Sequence, residues 1–329
     1  MATNQAAWID GAKKPLAVRE ANMPQPGPEE LVIKNSAVAI NPVDWKIQDG
    51  FYLDQLELPF IIGTDIAGVV HEVGSTVKDF KKGDRVLAAV NSKMTSKIPA
   101  SLSFTDATVL PLAISTAAAG LFSKGNLSLP LPTVSSNASK KAILVWSGAS
   151  SVGAVTIQLA KASGVAVITT ASAHNISKMK SQLGADFAFD YKSATVVDDI
   201  VSAVDQLKQD GTEFVGVYDA ISLPVSFEII GQIFDKLGSR NLVSSKKLAT
   251  VLPPSNLPTD VEAKGVFAAL LDKDVADGVW AKFVPEGLEN GVLKPLPPPT
   301  VVGKGLESVQ KGMDENKKGV SFAKVVVEL

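Results

Sequence analysis

The 329-residue chain contains no cysteine and only two histidines, His71 and His174. The first absence removes disulfides, thiolate nucleophiles and every cysteine-ligated zinc site; the scarcity of histidine leaves a two-histidine metal site or a serine–histidine relay little to be built from. Neither sign of charge dominates, since 32 Lys and Arg stand against 34 Asp and Glu for a formal net charge of -2. Phosphate-backbone binding draws its affinity from clustered Lys and Arg, so no nucleic-acid partner is expected. No run of about 18 apolar residues is present, and the first eleven residues lack the basic-then-apolar layout of a signal peptide. The expectation is a cytoplasmic protein with no membrane partner. Gly (25) and Pro (19) stay near background usage, which sets collagen-like and disordered classes aside.

What is present is an ordinary globular composition, 46% apolar, at a length that suggests two domains of roughly 150 residues. Residues 5–40 alternate in short strand-like runs around Ala6-Ala7-Trp8-Ile9, Leu31, Ile33, Ala37 and Ala39. Asn41 followed by Pro42 reads as an N-cap with proline at the first helical position, opening a short helix that Gly50 ends. Further strands are predicted at 61–62, 66–73 and 85–90, separated by Gly63, Gly68, Gly74 and Gly83. Ser103-Phe104-Thr105-Asp106 resembles a capping box before linker helices, and the Ser/Pro/Asn-rich stretch 127–140 predicts an exposed loop.

From Lys141 the pattern becomes regular. Strands at 142–146, 165–170, 186–190, 214–220 and 241–244 alternate with helices at 151–163, 176–183, 196–208 and 225–237. Apolar strands alternating with helices build a parallel, doubly wound sheet covered on both faces. A helix is predicted around 274–288, another at 306–316, and a buried strand at 322–327 that rejoins the N-terminal domain.

The first strand of that sheet runs into Ser147-Gly148-Ala149-Ser150-Ser151-Val152-Gly153 and then directly into a helix. Glycines permit close backbone approach there, and the free N–H groups at a helix start suit a pyrophosphate. Such a string is a weak signal alone and a stronger one inside a strand–loop–helix–strand context. Folds that bind NAD this way carry an Asp or Glu at the end of the second strand for the ribose hydroxyls. This chain has Ala171-Ser172-Ala173-His174-Asn175 there, with Lys178 one turn later and Tyr191 after the third strand. Hydroxyl, amide and ammonium donors in place of a carboxylate favour a 2′-phosphate, so NADPH is the expected cofactor. For His174 and Lys178 the competing account is a solvated helix start.

Taken together, Asn41-Pro42-Val43-Asp44-Trp45-Lys46, Gly63-Thr64-Asp65-Ile66-Ala67-Gly68, Gly83-Asp84-Arg85-Val86 and the 148–153 loop resemble the medium-chain dehydrogenase/reductase superfamily. Within it the chain looks like the zinc-free quinone oxidoreductase and enoyl reductase branch, and the loop before Lys141 resembles fungal trans-acting enoyl reductases. The resemblance implies an α/β protein with a GroES-like β-rich catalytic domain made from both termini (1–113 and 262–329) and a Rossmann domain (114–261) that binds NADPH in the cleft. The pattern departs after Val86, where only residues 87–95 precede Ser96-Lys97-Ile98-Pro99; a longer segment is normal in the family.

Hydride addition to an activated C=C needs enolate stabilisation and a proton but no Lewis acid, which points to an NADPH-dependent, metal-independent reductase of an enone, quinone or enoyl thioester. The resemblance puts Asn41 at the substrate oxygen or nicotinamide, besides its N-cap role. It offers two proton donors, Lys46 and Tyr52, of which one is needed; each also reads blandly, Lys46 as an exposed helix residue and Tyr52 as a loop aromatic against Pro59 or Phe60. Thr116 resembles a threonine near the nicotinamide, with helix packing as the alternative. The backbone at Leu242 and Val243 is expected to approach the carboxamide. Asp65 reads as structural and His71 as a surface residue. A polyketide synthase is a candidate partner. The other functional class left open is a protein that binds NADPH without turnover because the segment after Val86 is short, with a zinc alcohol dehydrogenase a distant third.

Overall fold

A computed structural model describes residues 4–89 and 94–329. The chain divides into two compact units, Met1–Pro111 with Pro295–Leu329, and Leu112–Lys294. The first boundary lies close to the expected one. The second lies at 295 rather than 262, because Glu262–Gly265 adds a parallel strand to Lys247–Thr250 and so belongs to the second unit's sheet.

In the first unit a six-stranded sheet has the order Pro299–Lys304, Lys324–Glu328, Leu31–Ala39, Asp65–Val73, Arg85–Ala88, Thr95–Lys97. The first pair is parallel, joined through the helix Ser308–Lys318; the rest are antiparallel. The same unit holds a three-stranded sheet of Ala17–Ala21, Asn4–Ile9 and Phe60–Ile61. The strand Lys324–Glu328 is an apolar run buried along its length, and Val325 and Val327 meet Ile40, Val309 and Met313 in the core. That packing is why the tail returns to the N-terminal residues. Arg85–Ala88 and Thr95–Lys97 pair directly, Ala88 opposite Thr95, with the Ala89 N–H donating to the Met94 carbonyl at 2.9 Å. Residues 90–93, including the last residue of the strand expected at 85–90, lie outside the described ones.

In the second unit six strands are all parallel, in the order Phe187–Asp190, Ala166–Ala171, Lys141–Trp146, Glu213–Asp219, Lys247–Thr250, Glu262–Gly265. Numbered along the chain this is 3-2-1-4-5-6, and its direction reverses between Lys141–Trp146 and Glu213–Asp219, the point at which such sheets bind ligands beyond the strands' carboxyl ends. Helix Val196–Gln209 buries Val196, Ile200, Val201, Ala203 and Val204, one helical stripe, against the sheet with Phe227, Ile230, Ile233, Phe234 and Leu237 of Pro224–Ser239.

Three local expectations are corrected. The strand expected at 241–244 is instead Lys247–Thr250; the helix Pro224–Ser239 runs on to Ser239, and Asn241 turns the chain with φ 53°, leaving 242–246 as connection. The stretch 127–140 lacks regular structure but is not simply exposed: Leu127 and Leu129 are buried, and their N–H groups bond the carbonyls of Gly120 and Leu121. Burying each leucine contributes roughly 1.5–3 kcal/mol, which offsets the ordering of neighbouring backbone. The helix around 274–288 is interrupted by a wide turn, Asp277–Phe283, before Val284–Glu289. Pro285 has no N–H and its ring crowds the carbonyl four residues earlier, so the chain there cannot keep the α-helical ladder. The stretch Phe104–Phe122 has the length and apolarity of a membrane span, yet it is 78% buried within the protein and serves as core.

Candidate active and cofactor sites

The strand Lys141–Trp146 ends in Ser147, held at φ 66° with its N–H on Thr170 Oγ1 (3.1 Å). Gly148 follows with its N–H on the Thr170 carbonyl (2.8 Å). A Cβ on Gly148 would lie 2.2 Å from Thr169 Oγ1, and one on Gly153 would lie 2.2 Å from the Ser147 carbonyl oxygen. Both positions therefore require glycine. Ser150 caps the helix Ser151–Ala162, its hydroxyl accepting from the Gly153 N–H (3.0 Å) while donating to the Ser147 carbonyl (2.8 Å). The N–H groups of Ser151 and Val152 are in the first helical turn, where no intrahelical acceptor exists. The Ser151 hydroxyl is a buried polar group without a hydrogen-bond partner. A tight backbone cradle, two unbonded N–H groups and an unsatisfied hydroxyl at a helix start are the donor set of a phosphate site, so a dinucleotide fits these residues.

At the carboxyl end of the neighbouring strand Ala166–Ala171, Ser172 begins a short turn without using its side chain as a cap. Asn175, almost fully buried, ties its neighbours together: its Nδ2 lies 3.2 Å from His174 Nε2, and its Oδ1 accepts from Lys178 Nζ at 3.1 Å. The Tyr191 N–H bonds the Ala171 carbonyl (3.3 Å), which brings the end of the third strand beside them. Ser172, His174, Asn175, Lys178 and Tyr191 thus share one end of the sheet with the 147–153 loop.

Leu242 and Val243 do not. They precede the strand Lys247–Thr250, at the amino end of the parallel sheet, where the Leu242 N–H closes on the Leu237 carbonyl and both side chains pack on the core. The residues at the carboxyl end are Thr250 and Val251, whose N–H donates to Ser222 Oγ (2.9 Å). The signal was the apolar, β-branched run Leu248 to Leu252, outweighed by the shorter Asn241 to Ser244. Thr116, on the helix Pro111–Phe122, turns its hydroxyl onto the Leu112 carbonyl (2.7 Å), and its own carbonyl accepts from the Tyr218 hydroxyl (2.7 Å).

In the first unit Asn41 opens the helix Pro42–Gln48, but its amide does not cap it. Nδ2 donates to Asp65 Oδ2 (2.8 Å) and Thr64 Oγ1 (3.1 Å), and Oδ1 accepts from Lys324 Nζ. Both amide hydrogens are committed to the Asp65 and Thr64 side chains. Lys324 Nζ also lies 3.0 Å from Asp65 Oδ2, both side chains buried. Asp44 accepts the Asn41 N–H (2.7 Å) through one oxygen, and its other oxygen is buried without a partner. Burial pushes the Asp44 carboxyl up to about 7, Asp65 adding to the rise; the Asn41 hydrogen bond and Lys324 oppose it. Lys324 and Asp44 escaped the sequence reading. A single charge at the head of the run Lys324-Val325-Val326-Val327 was the available sign of the first.

Lys46, two residues beyond Asp44, is half-buried, its Nζ 5.7 Å from the Trp45 ring centroid, and burial lowers its pKa below the ordinary lysine value. Among the described residues it makes no ion pair. Tyr52 is 45% exposed, at φ 58°, and its ring lies beside that of Phe51, 4.0 Å between centroids. His71 is exposed.

Residues 27–120 match the alcohol dehydrogenase GroES-like domain. Over their full lengths the chain and the dehydrogenase orsE of Emericella nidulans are 40% identical, and the alignment extends over 362 residues, so at least 33 residues of that relative have no counterpart in the 329 of this chain. The trans-enoyl reductase himH of Aspergillus japonicus is 38% identical over 99% of this chain and 97% of its own. Among solved structures, an alcohol dehydrogenase superfamily protein from Novosphingobium aromaticivorans superposes with a TM-score of 0.76 at 23% identity, and a mycobacterial quinone oxidoreductase with 0.70 at 22%, each over 100% of both chains. With this fold, the glycine cradle and relatives alike along their whole length, the chain is an oxidoreductase of the medium-chain dehydrogenase/reductase superfamily, in the group that includes the fungal trans-enoyl reductases.

Proposed function

We propose that the protein is an NADPH-dependent, metal-independent reductase of activated C=C bonds, with an enone, quinone or enoyl thioester as substrate. The observation that carries the cofactor preference is the end of the strand Ala166–Ala171, where Ser172, His174, Asn175 and Lys178 replace the carboxylate that would bind a free ribose. A 2′-phosphate there meets an ammonium, a hydroxyl and an amide. The pyrophosphate is held by the N–H groups of Ser151 and Val152, with Ser147, Gly148, Ser150 and Gly153 shaping the loop; Tyr191 lines the adenosine end and Thr116 the nicotinamide end. Thr250 and Val251 take the place of Leu242 and Val243 as candidates for the carboxamide contact.

When bound, the dihydronicotinamide supplies the hydride. The enolate so formed needs a proton, and Lys46 is the proposed donor in preference to the exposed Tyr52: its ammonium has no ion pair among the described residues and is partly desolvated, which eases release. Independence from a metal is supported by Asp65, whose counter-charge is the chain's own Lys324 ammonium. The trans-enoyl reductase relatives make an acyl chain carried by a polyketide synthase one candidate substrate. The compartment proposed is the cytoplasm.

Fluorescence titration with NADPH and NADH tests the cofactor reading. NADPH is expected to bind at least about tenfold tighter, and Lys178→Ala to weaken NADPH by roughly 10–100-fold while changing NADH by less than about threefold. Equal loss for both nucleotides would remove the 2′-phosphate role. Gly153→Ala is expected to weaken both by about tenfold or more, since its Cβ must displace the Ser147 carbonyl; unchanged affinity would show that the cradle has room to spare.

A second reading is kept by the direct pairing of Arg85–Ala88 with Thr95–Lys97 in place of a longer segment: a protein that binds NADPH without turnover. Tight NADPH binding with only background oxidation across saturating enones, quinones and enoyl thioesters would select it.

A further inference from the structure

Lys324 opens the most thoroughly buried strand of the first unit and is itself 2% exposed. A lysine is seldom buried so far unless paired, and a buried pair is weak evidence of stabilisation, because apolar side chains of similar volume pack as well or better. Its contacts have a different character: they join three elements at one amide. The ammonium holds Asn41 Oδ1 and Asp65; Asp65 and Thr64 hold Asn41 Nδ2; and Asp44 holds the Asn41 N–H. A planar amide gripped at both ends cannot rotate. It stands at the start of a seven-residue helix, Pro42–Gln48, far too short to be stable by itself, whose position is therefore set by its anchors. At the other end the anchors are less buried: Gln48 to Gln310 (2.7 Å), Trp45 to Asn316 (3.1 Å) and Asp49 to Lys317 (2.7 Å).

We propose that Lys324 is a positioning residue whose buried ammonium, by clamping the Asn41 amide, sets where the helix Pro42–Gln48 holds Lys46. The proposal rests on reading Lys46 as the proton donor. With no ion pair of its own among the described residues, Lys46 takes its placement from the helix backbone, so an element more than 270 residues away in sequence governs the donor.

The test compares Lys324→Arg, Lys324→Met and Lys324→Met with Asp65→Asn. The arginine variant keeps a cation and is expected to hold kcat within about threefold. Lys324→Met is expected to lower kcat by about tenfold or more with KM for the nucleotide within about twofold, and to shift the titration of Lys46, followed by NMR with labelled lysine. It also strands a buried carboxylate, so its Tm should fall or the variant fail to fold; the double variant removes that carboxylate's charge and should recover Tm without recovering kcat. Recovery of both Tm and kcat in the double variant, or an unmoved Lys46 titration, would overturn the proposal. Lys46→Met separates the two ideas: if it retains full turnover, the proton-donor reading fails, while the effect of Lys324 on the Lys46 titration still decides whether the clamp exists.

Discussion

Lys46→Met is expected to lower kcat by roughly two to four orders of magnitude, the range over which a positioned general acid contributes, with nucleotide affinity unchanged. The ammonium is partly desolvated and makes no ion pair among the described residues, so its proton is held less firmly than in an ordinary lysine. The same displacement fixes the pH profile. A donor must be protonated, so the rate should fall on the alkaline side, with an apparent pKa below the ordinary lysine value of about 10.4. Replacing Tyr52 with phenylalanine should change kcat by less than about threefold, because a ring 45% exposed and resting on Phe51 is a poorly positioned acid. Turnover of Lys46→Met within about threefold of the parent, together with a large loss in Tyr52→Phe, would reverse the assignment. Stopped-flow oxidation of NADPH with a saturating enone reads both.

The second large effect concerns stability rather than rate. Asp44 is 2% exposed and held up to about 7 chiefly by burial, against a usual value near 3.8. The folded chain therefore keeps this proton at pH values where the unfolded chain has released it. Its contribution is fully present below about pH 4 and is lost as pH rises through about 7. Each tenfold difference in proton affinity between the folded and unfolded chain corresponds to about 1.4 kcal/mol, so the loss approaches roughly 4 kcal/mol. Asp44→Asn keeps an acceptor for the Asn41 N–H and cannot ionise. In urea denaturation it should match the parent near pH 4 and exceed its stability at pH 8 by a few kcal/mol. Parallel curves for the two proteins across that range would show that Asp44 is already ionised in the fold, with Lys324 dominating its environment in place of burial.

Much of the second unit was legible in the sequence because its signals are local. A helix that starts after a glycine loop, strands of apolar and β-branched residues, and alternation at a steady spacing all arise within a few residues of one another. The predicted strand at 142–146 and helices at 151–163, 196–208 and 225–237 agree with Lys141–Trp146, Ser151–Ala162, Val196–Gln209 and Pro224–Ser239 to within about two residues. The fifth strand was displaced because two short apolar runs, Leu242-Val243 and Leu248-Ala249, compete, and only pairing with Glu213–Asp219 chooses between them. That choice moved the candidate carboxamide contact from one end of the sheet to the other.

In the first unit the limits were of another kind. Asn41 stood out as an N-cap and as a family position, but what its amide bonds to depends on Thr64, Asp65 and Lys324, the last of them 283 residues away. The sequence alone established the class of fold, the glycine cradle after the first strand of the parallel sheet, the missing carboxylate after the second, and the return of the tail to the N-terminal residues. These follow from periodicity, from the unique conformational reach of glycine, and from which functional groups are present at all. Only the tertiary structure decided that Asn41 is spent on its neighbours, that Lys46 rather than Tyr52 is desolvated, and that the second boundary lies at 295. Desolvation and hydrogen-bond partnership are properties of what surrounds a group, and here the surroundings come from distant parts of the chain.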